Sequence, residues 1–158
     1  MFSKLFNLQE AGYILDVSDD SVLKDGIARK QLKPAEPAKK SAKFRLGDII
    51  LFKLAQVIEH LGVEGEKAYK YADAVLGQRL SAHDRNPVEW IENETQELLC
   101  FIEDDQLARI FLRSKTDAKE VEVGAVKPVL FPATRCEINV FRVIRPLVYR
   151  ARQIFSGK

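Results

Sequence analysis

The chain has 158 residues, 46% of them hydrophobic and 30% charged, with a formal net charge of only +2. This length allows one medium domain or two small ones, each with a modest core, and the composition is that of an ordinary soluble globular protein. No apolar run reaches the roughly eighteen residues a transmembrane helix needs, and Met1-Phe-Ser-Lys-Leu-Phe lacks the apolar stretch of a signal peptide, so the expected location is the cytoplasm and no membrane contact is expected.

The first predicted element is a helix over 8–15. Leu8, Ala11, Ile14 and Leu15 share one face, and Asn7 with Glu10 forms a capping box. After the link Asp16-Val17-Ser18, a second helix is expected to start from a Ser18 cap and run to about Lys30. Asp19 and Asp20 lie in its first turn, and Val22 and Ile27 are turned inward. Gly26 sits in the middle of that helix and costs about 1 kcal/mol relative to Ala. Pro34 and Pro37 bracket an Ala/Lys/Pro stretch over 33–43, expected as a loop or hairpin tip, and Lys43-Phe44-Arg45-Leu46 alternates like the return strand of a small hairpin.

Gly47-Asp48 opens the strongest helix, over 49–61, apolar around most of its circumference and stopped by Gly62. Such a helix needs cover on more than one side. Ile50, Leu54, Val57 and Leu61 form a stripe expected at a homodimer interface, with Ile49, Phe52, Ala55 and Ile58 facing the chain's own core. A further helix spans 66–80, and residues 81–88 read as a linker. Beyond it, 97–102 and 108–112 form a hairpin-like pair, 120–125 alternates, and Val129-Leu130-Phe131 is a third apolar run. The stretch 138–155 is largely helical in spacing, with Pro146 expected to bend or interrupt it. The fold expectation is thus a mainly α N-terminal domain over 1–80 and a small α+β module over 89–158. That module would stabilise a dimer or bind a protein partner or small effector.

Charge is distributed in blocks. Between Gly26 and Arg45 seven basic residues face one acid, from Glu89 to Asp105 there are seven acids and no base, and after Glu137 the chain is basic again through Arg142, Arg145, Arg150, Arg152 and Lys158. Cys100 and Cys136 have no metal-ligand spacing and read as reduced structural residues. His60 and His83 have no reason to meet, and Glu103-Asp104-Asp105 reads as a turn. Trp90 and Phe101 read as core. The sequence has neither a Gly-rich phosphate loop nor a nucleophile elbow. Neither catalysis nor a metal or cofactor is expected.

The order helix, three-residue turn, helix, basic hairpin, long helix is a winged helix-turn-helix plan. Phe6-Asn-Leu-Gln-Glu-Ala-Gly-Tyr-Ile-Leu-Asp-Val-Ser, Ser21-Val22, Leu32-Lys33-Pro34 and Lys43-Phe44-Arg45-Leu46-Gly47-Asp48-Ile49 together resemble the MerR family and the related excisionase-type domains over about residues 6–80. The resemblance implies a recognition helix in the major groove of double-stranded DNA, a wing against its backbone, and dimerisation through the following helices. In that frame Ser21, Lys24 and Arg29 would face bases or phosphates, and Lys39, Lys40, Lys43 and Arg45 would contact phosphates. The expected function is a homodimeric, sequence-specific transcriptional regulator. Asp19, Asp20 and Asp25, on the helix that should approach DNA, favour the rival: an antitoxin-like or other protein-interaction module built on the same fold.

Overall fold

The structure is a computed structural model that describes residues 4–35, 41–82, 96–103, 106–114, 120–124 and 135–157. Strand β1 (Phe6–Asn7) leads directly into α1 (Leu8–Leu15), followed by α2 (Asp20–Ala28), β2 (Lys43–Phe44), α3 (Leu46–His60) and α4 (Gly65–Ala82). Then come β3 (Gln96–Glu103), β4 (Gln106–Ser114), β5 (Glu120–Gly124) and β6 (Arg135–Asn139), and a closing helix α5 (Val140–Ser156). The described residues are mainly helical with two sheets, and none of their helices is long and apolar enough to cross a membrane.

The Asn7 capping box is present in full, with the Asn7 side chain accepting from the Glu10 amide at 2.9 Å and Glu10 accepting from the Asn7 amide at 2.9 Å. Both α1 and α2 end in a residue with left-handed backbone, Asp16 (φ 58) and Lys30 (φ 59). Each turn is closed by two amides reaching back, Val17 to Gly12 and Asp16 to Tyr13, then Gln31 to Gly26 and Lys30 to Ile27. The α2 cap is Asp19, not Ser18: its carboxylate accepts from the Ser21 amide at 2.8 Å, and the helix stops at Ala28, two residues short of expectation.

Gly26 is explained by packing. A Cβ there would lie 2.6 Å from Cε2 and Cζ of the buried Phe52 ring, so only Gly lets α2 approach α3 this closely. Helix propensity alone ranks Ala above Gly by about 1 kcal/mol. Overpacking against a buried ring costs about 1–3 kcal/mol. Gly26→Ala is therefore expected to destabilise by up to about 2 kcal/mol in urea unfolding, and Phe52→Leu to relieve much of that in a double-mutant cycle. Greater stability of the Ala variant would show that the helices are not in this contact.

The expected hairpin return strand pairs elsewhere. Lys43–Phe44 joins β1 antiparallel, Phe6 opposite Phe44 and Asn7 opposite Lys43, while one bond runs from the Ala35 amide to the Lys43 carbonyl (2.8 Å). Arg45 becomes the cap of α3, and Leu46 already belongs to that helix.

The larger sheet has the order β5-β4-β3-β6, all neighbours antiparallel. The runs expected at 97–102, 108–112 and 120–125 are β3, β4 and β5; β6 was not expected, and the apolar run 129–131 lies outside the described residues. Cys100 stands opposite Ile138 and Cys136 opposite Ile102, so the two cysteines are diagonal in the register rather than paired.

Helix α5 departs most from expectation. It continues through Pro146 without a break, and Pro146 lies on the exposed side of the helix. It also belongs to the core of the N-terminal helices and not to a separate C-terminal module. Val140, Phe141, Ile144, Leu147, Val148 and Ala151 are buried in one cluster with residues of α1, α3 and α4. Arg150 fastens α5 to the end of α1, donating to the Ile14 carbonyl (3.0 Å) and the Asp16 carboxylate (3.2 Å). Near the other end of α1, Phe155 meets Phe6 edge-on, with ring centroids 5.5 Å apart. The linker expected over 81–88 starts as α4, which includes Ser81 and Ala82; its remaining residues are not among those described.

Candidate nucleic-acid interface

The seven residues expected at DNA divide into three groups. Ser21 and Lys24 are exposed on α2, one turn apart. Ser21 spends its amide on the Asp19 cap, and that amide, with the Ser21 hydroxyl second, holds the Asp19 carboxyl below its ordinary value. Asp19 therefore stays charged at the tip of α2, where the helix dipole also favours an anion. Asp20 and Asp25 are exposed on the same helix, so residues 19–28 carry three acids and one base, a net −2.

Arg29 is committed elsewhere. Its guanidinium donates to Glu59 on α3 at 2.9 Å and pairs with Asp25 at 3.5 Å. The Glu59 bond, above all, holds its proton more tightly than usual. A Cβ on Gly65 would run into this guanidinium and the Gln31 amide, so the start of α4 is fitted around them. Gln31, the buried polar residue of this corner, donates to the Gly65 carbonyl at 2.8 Å. Arg29 is thus a strut between α2 and α3, and any contact it made to a base would compete with Glu59 and Asp25. Only its neighbourhood was legible in the sequence: the acid it pairs with most closely lies 30 positions away.

Lys43 and Arg45 are exposed on and just after β2, with Lys33 exposed at the other end of the loop and its ammonium 4.9 Å above the Tyr69 ring. Lys39 and Lys40 lie outside the described residues. The pairing of β1 with β2 thus brings the basic base of the loop beside the start of α1.

The expected dimer stripe is mostly internal. Ile50 and Leu54 are fully buried inside the chain, on a helix that packs against α4, α5 and α1, and Val57 is half-buried; Leu61 alone is exposed, at 40%. The cover α3 needed on its second side comes from the chain's own C-terminal helix.

His60 donates Nδ1–H to the Gln56 carbonyl at 2.8 Å and, with Arg29, Gln56 and Glu59, lines a shallow cavity of about 340 Å³. No group of three or more His, Cys, Asp or Glu suited to a metal occurs among the described residues. His83, Trp90, Asp104 and Asp105 fall outside them.

The sequence shows that the residues after Glu137 are basic, but not how they are arranged. In α5 the arginines alternate with an exposed tyrosine on the side away from the core; the signal was the spacing Arg142, Arg145, Tyr149, Arg152, which repeats every three and four residues. No family model matches the chain, and no curated protein matches it.

Proposed function

We propose that this protein is a DNA-binding regulator, gripping double-stranded DNA through α2 and the basic loop that ends in β2. The observation that carries the reading is the β1–β2 pair. It ties the two-helix unit to the start of α3 and leaves Lys43 and Arg45 exposed beside it, the order of parts that resembles a MerR-type winged helix. In this reading Lys24 and Ser21 read bases, while Lys43 and Arg45, with Lys39 and Lys40, hold phosphates.

Replacing Lys43 or Arg45 by Ala is expected to weaken binding to every duplex alike. Each replacement should also lower the slope of log affinity against log salt by about 1, because one phosphate fewer is neutralised. Lys24→Ala is expected instead to relax preference at particular base pairs, at a cost of about 1–3 kcal/mol. Arg29→Ala should change stability more than sequence preference, since its partners are Glu59 and Asp25. Selection from random duplex, then titration at several salt concentrations, separates these effects. A protein that enriches no sequence and binds duplex no better than a neutral control at low salt sinks the reading.

A second reading is favoured by one specific observation, the net −2 of residues 19–28 on an exposed helix. A helix of that charge suits a basic protein partner better than phosphates, and the same module would then act by protein interaction.

A further inference from the structure

We infer that the outer face of α5, together with Tyr13 of α1, is a binding surface for single-stranded nucleic acid, carried by residues other than those proposed for duplex DNA. Helix α5 holds four arginines and no acid in its seventeen residues. Arg150 is turned to α1, where it pairs with Asp16. Arg142, Tyr149 and Arg152 are exposed, and Arg145 is half-buried with its guanidinium 6.0 Å above the Phe141 ring. From Arg142 to Arg152 this basic row extends about 15 Å along the helix.

The tyrosines decide which polyanion fits. Tyr149 is 64% exposed and Tyr13 50% exposed, two of the three large hydrophobic side chains so exposed among the described residues. They are neighbours: the Tyr13 hydroxyl donates to Oε1 of Gln153, which stands one turn from Tyr149 on the same helix. Two exposed aromatic side chains beside a row of arginines match the recurring means of holding single strands, in which cations track phosphates and rings stack on bases. A paired base within a duplex has its faces covered, so this combination favours a strand with unpaired bases. An acidic peptide would use the arginines but leave both rings idle. RNA and DNA share the phosphate and base chemistry involved.

Fluorescence anisotropy of the full chain tests the surface, with labelled oligothymidylate and oligouridylate of about twelve nucleotides, within the usual site size of one module. Binding to at least one is expected at low salt; the stronger arm identifies the natural sugar, and polyglutamate should compete poorly. Tyr149→Ala should weaken single-strand binding roughly tenfold, as expected for one stacked base, while Tyr149→Phe keeps it. An exposed ring should leave the melting curve unmoved in both variants. Lys43→Ala/Arg45→Ala should leave single-strand binding intact, which separates failure of this surface from failure of the duplex reading. Unchanged affinity in Tyr149→Ala, binding to neither oligonucleotide, or equal displacement by polyglutamate would each overturn the inference.

Discussion

A chain ending at Ala82 is expected not to fold. At first sight such a fragment holds a complete unit, α1 to α4 with the β1–β2 pair, and the sequence divides at the same point. The core does not. Val140, Phe141, Ile144, Leu147 and Val148 of α5 are each at most 2% exposed, in one cluster with residues of α1 and α3. Burying each such side chain stabilises by about 1.5–3 kcal/mol, so their joint loss is on the order of 10 kcal/mol, before counting the faces of α1 and α3 they uncover. A domain of this size has a net stability of about 5–15 kcal/mol. Circular dichroism of the fragment should show reduced helix and no cooperative thermal transition. A sharp, reversible melt would show that α5 is an accessory to this core and not part of it.

What was legible in the sequence was local. The Asn7–Glu10 capping box needs only four consecutive residues, and the face of α1 only eight, so both are found as expected. The α2 cap shifted by one because Ser18 and Asp19 are adjacent candidates, and only the backbone geometry at Asp19, extended at φ −110, chooses between them. Elements that depend on distant partners were not legible. Two-residue β1 has no periodicity of its own and exists because Phe44, 38 positions on, lies opposite Phe6. Strand β6 is five residues long and is defined by its pairing with β3. Pro146 looked like a break because propensity alone disfavours Pro in a helix interior.

The candidate site shows the same division. Exposure of Ser21, Lys24, Lys43 and Arg45 agrees with their polarity, and the polar face of a short helix can be read from its pattern. Arg29 has the same residue type and a similar position, yet it is a strut, because Glu59 on α3 reaches it. Charge patterning identifies which groups a surface can offer; it does not reveal which of them another helix has already engaged. The acids of α2 follow that logic in part. Asp19 caps, Asp25 pairs with Arg29, and neither needs a ligand to account for its presence.

Leu54→Glu and Leu61→Glu should behave in opposite ways, although the stripe pattern treats the two positions as equivalent. If α3 met a second copy through that stripe, both would separate a folded dimer into folded monomers. Leu54 is instead fully buried within the chain. Removing a buried Leu costs about 2–5 kcal/mol. Placing a carboxyl in its stead, with no partner, adds a penalty of about 1–3 kcal/mol even if the group takes up a proton to become neutral. The sum is comparable to the net stability of the whole fold, about 5–15 kcal/mol, so Leu54→Glu should be largely unfolded or insoluble. Leu61 is 40% exposed, just beyond the end of α3, and a charge there meets water; Leu61→Glu should stay within about 1 kcal/mol of the parent. Urea unfolding gives the stabilities, and sedimentation of the folded variant gives its oligomeric state. A Leu54→Glu chain that remains folded, with unchanged stability and a smaller sedimentation coefficient, would mean that α3 presents this stripe outward, and the packing of α3 against α4 and α5 would have to be abandoned.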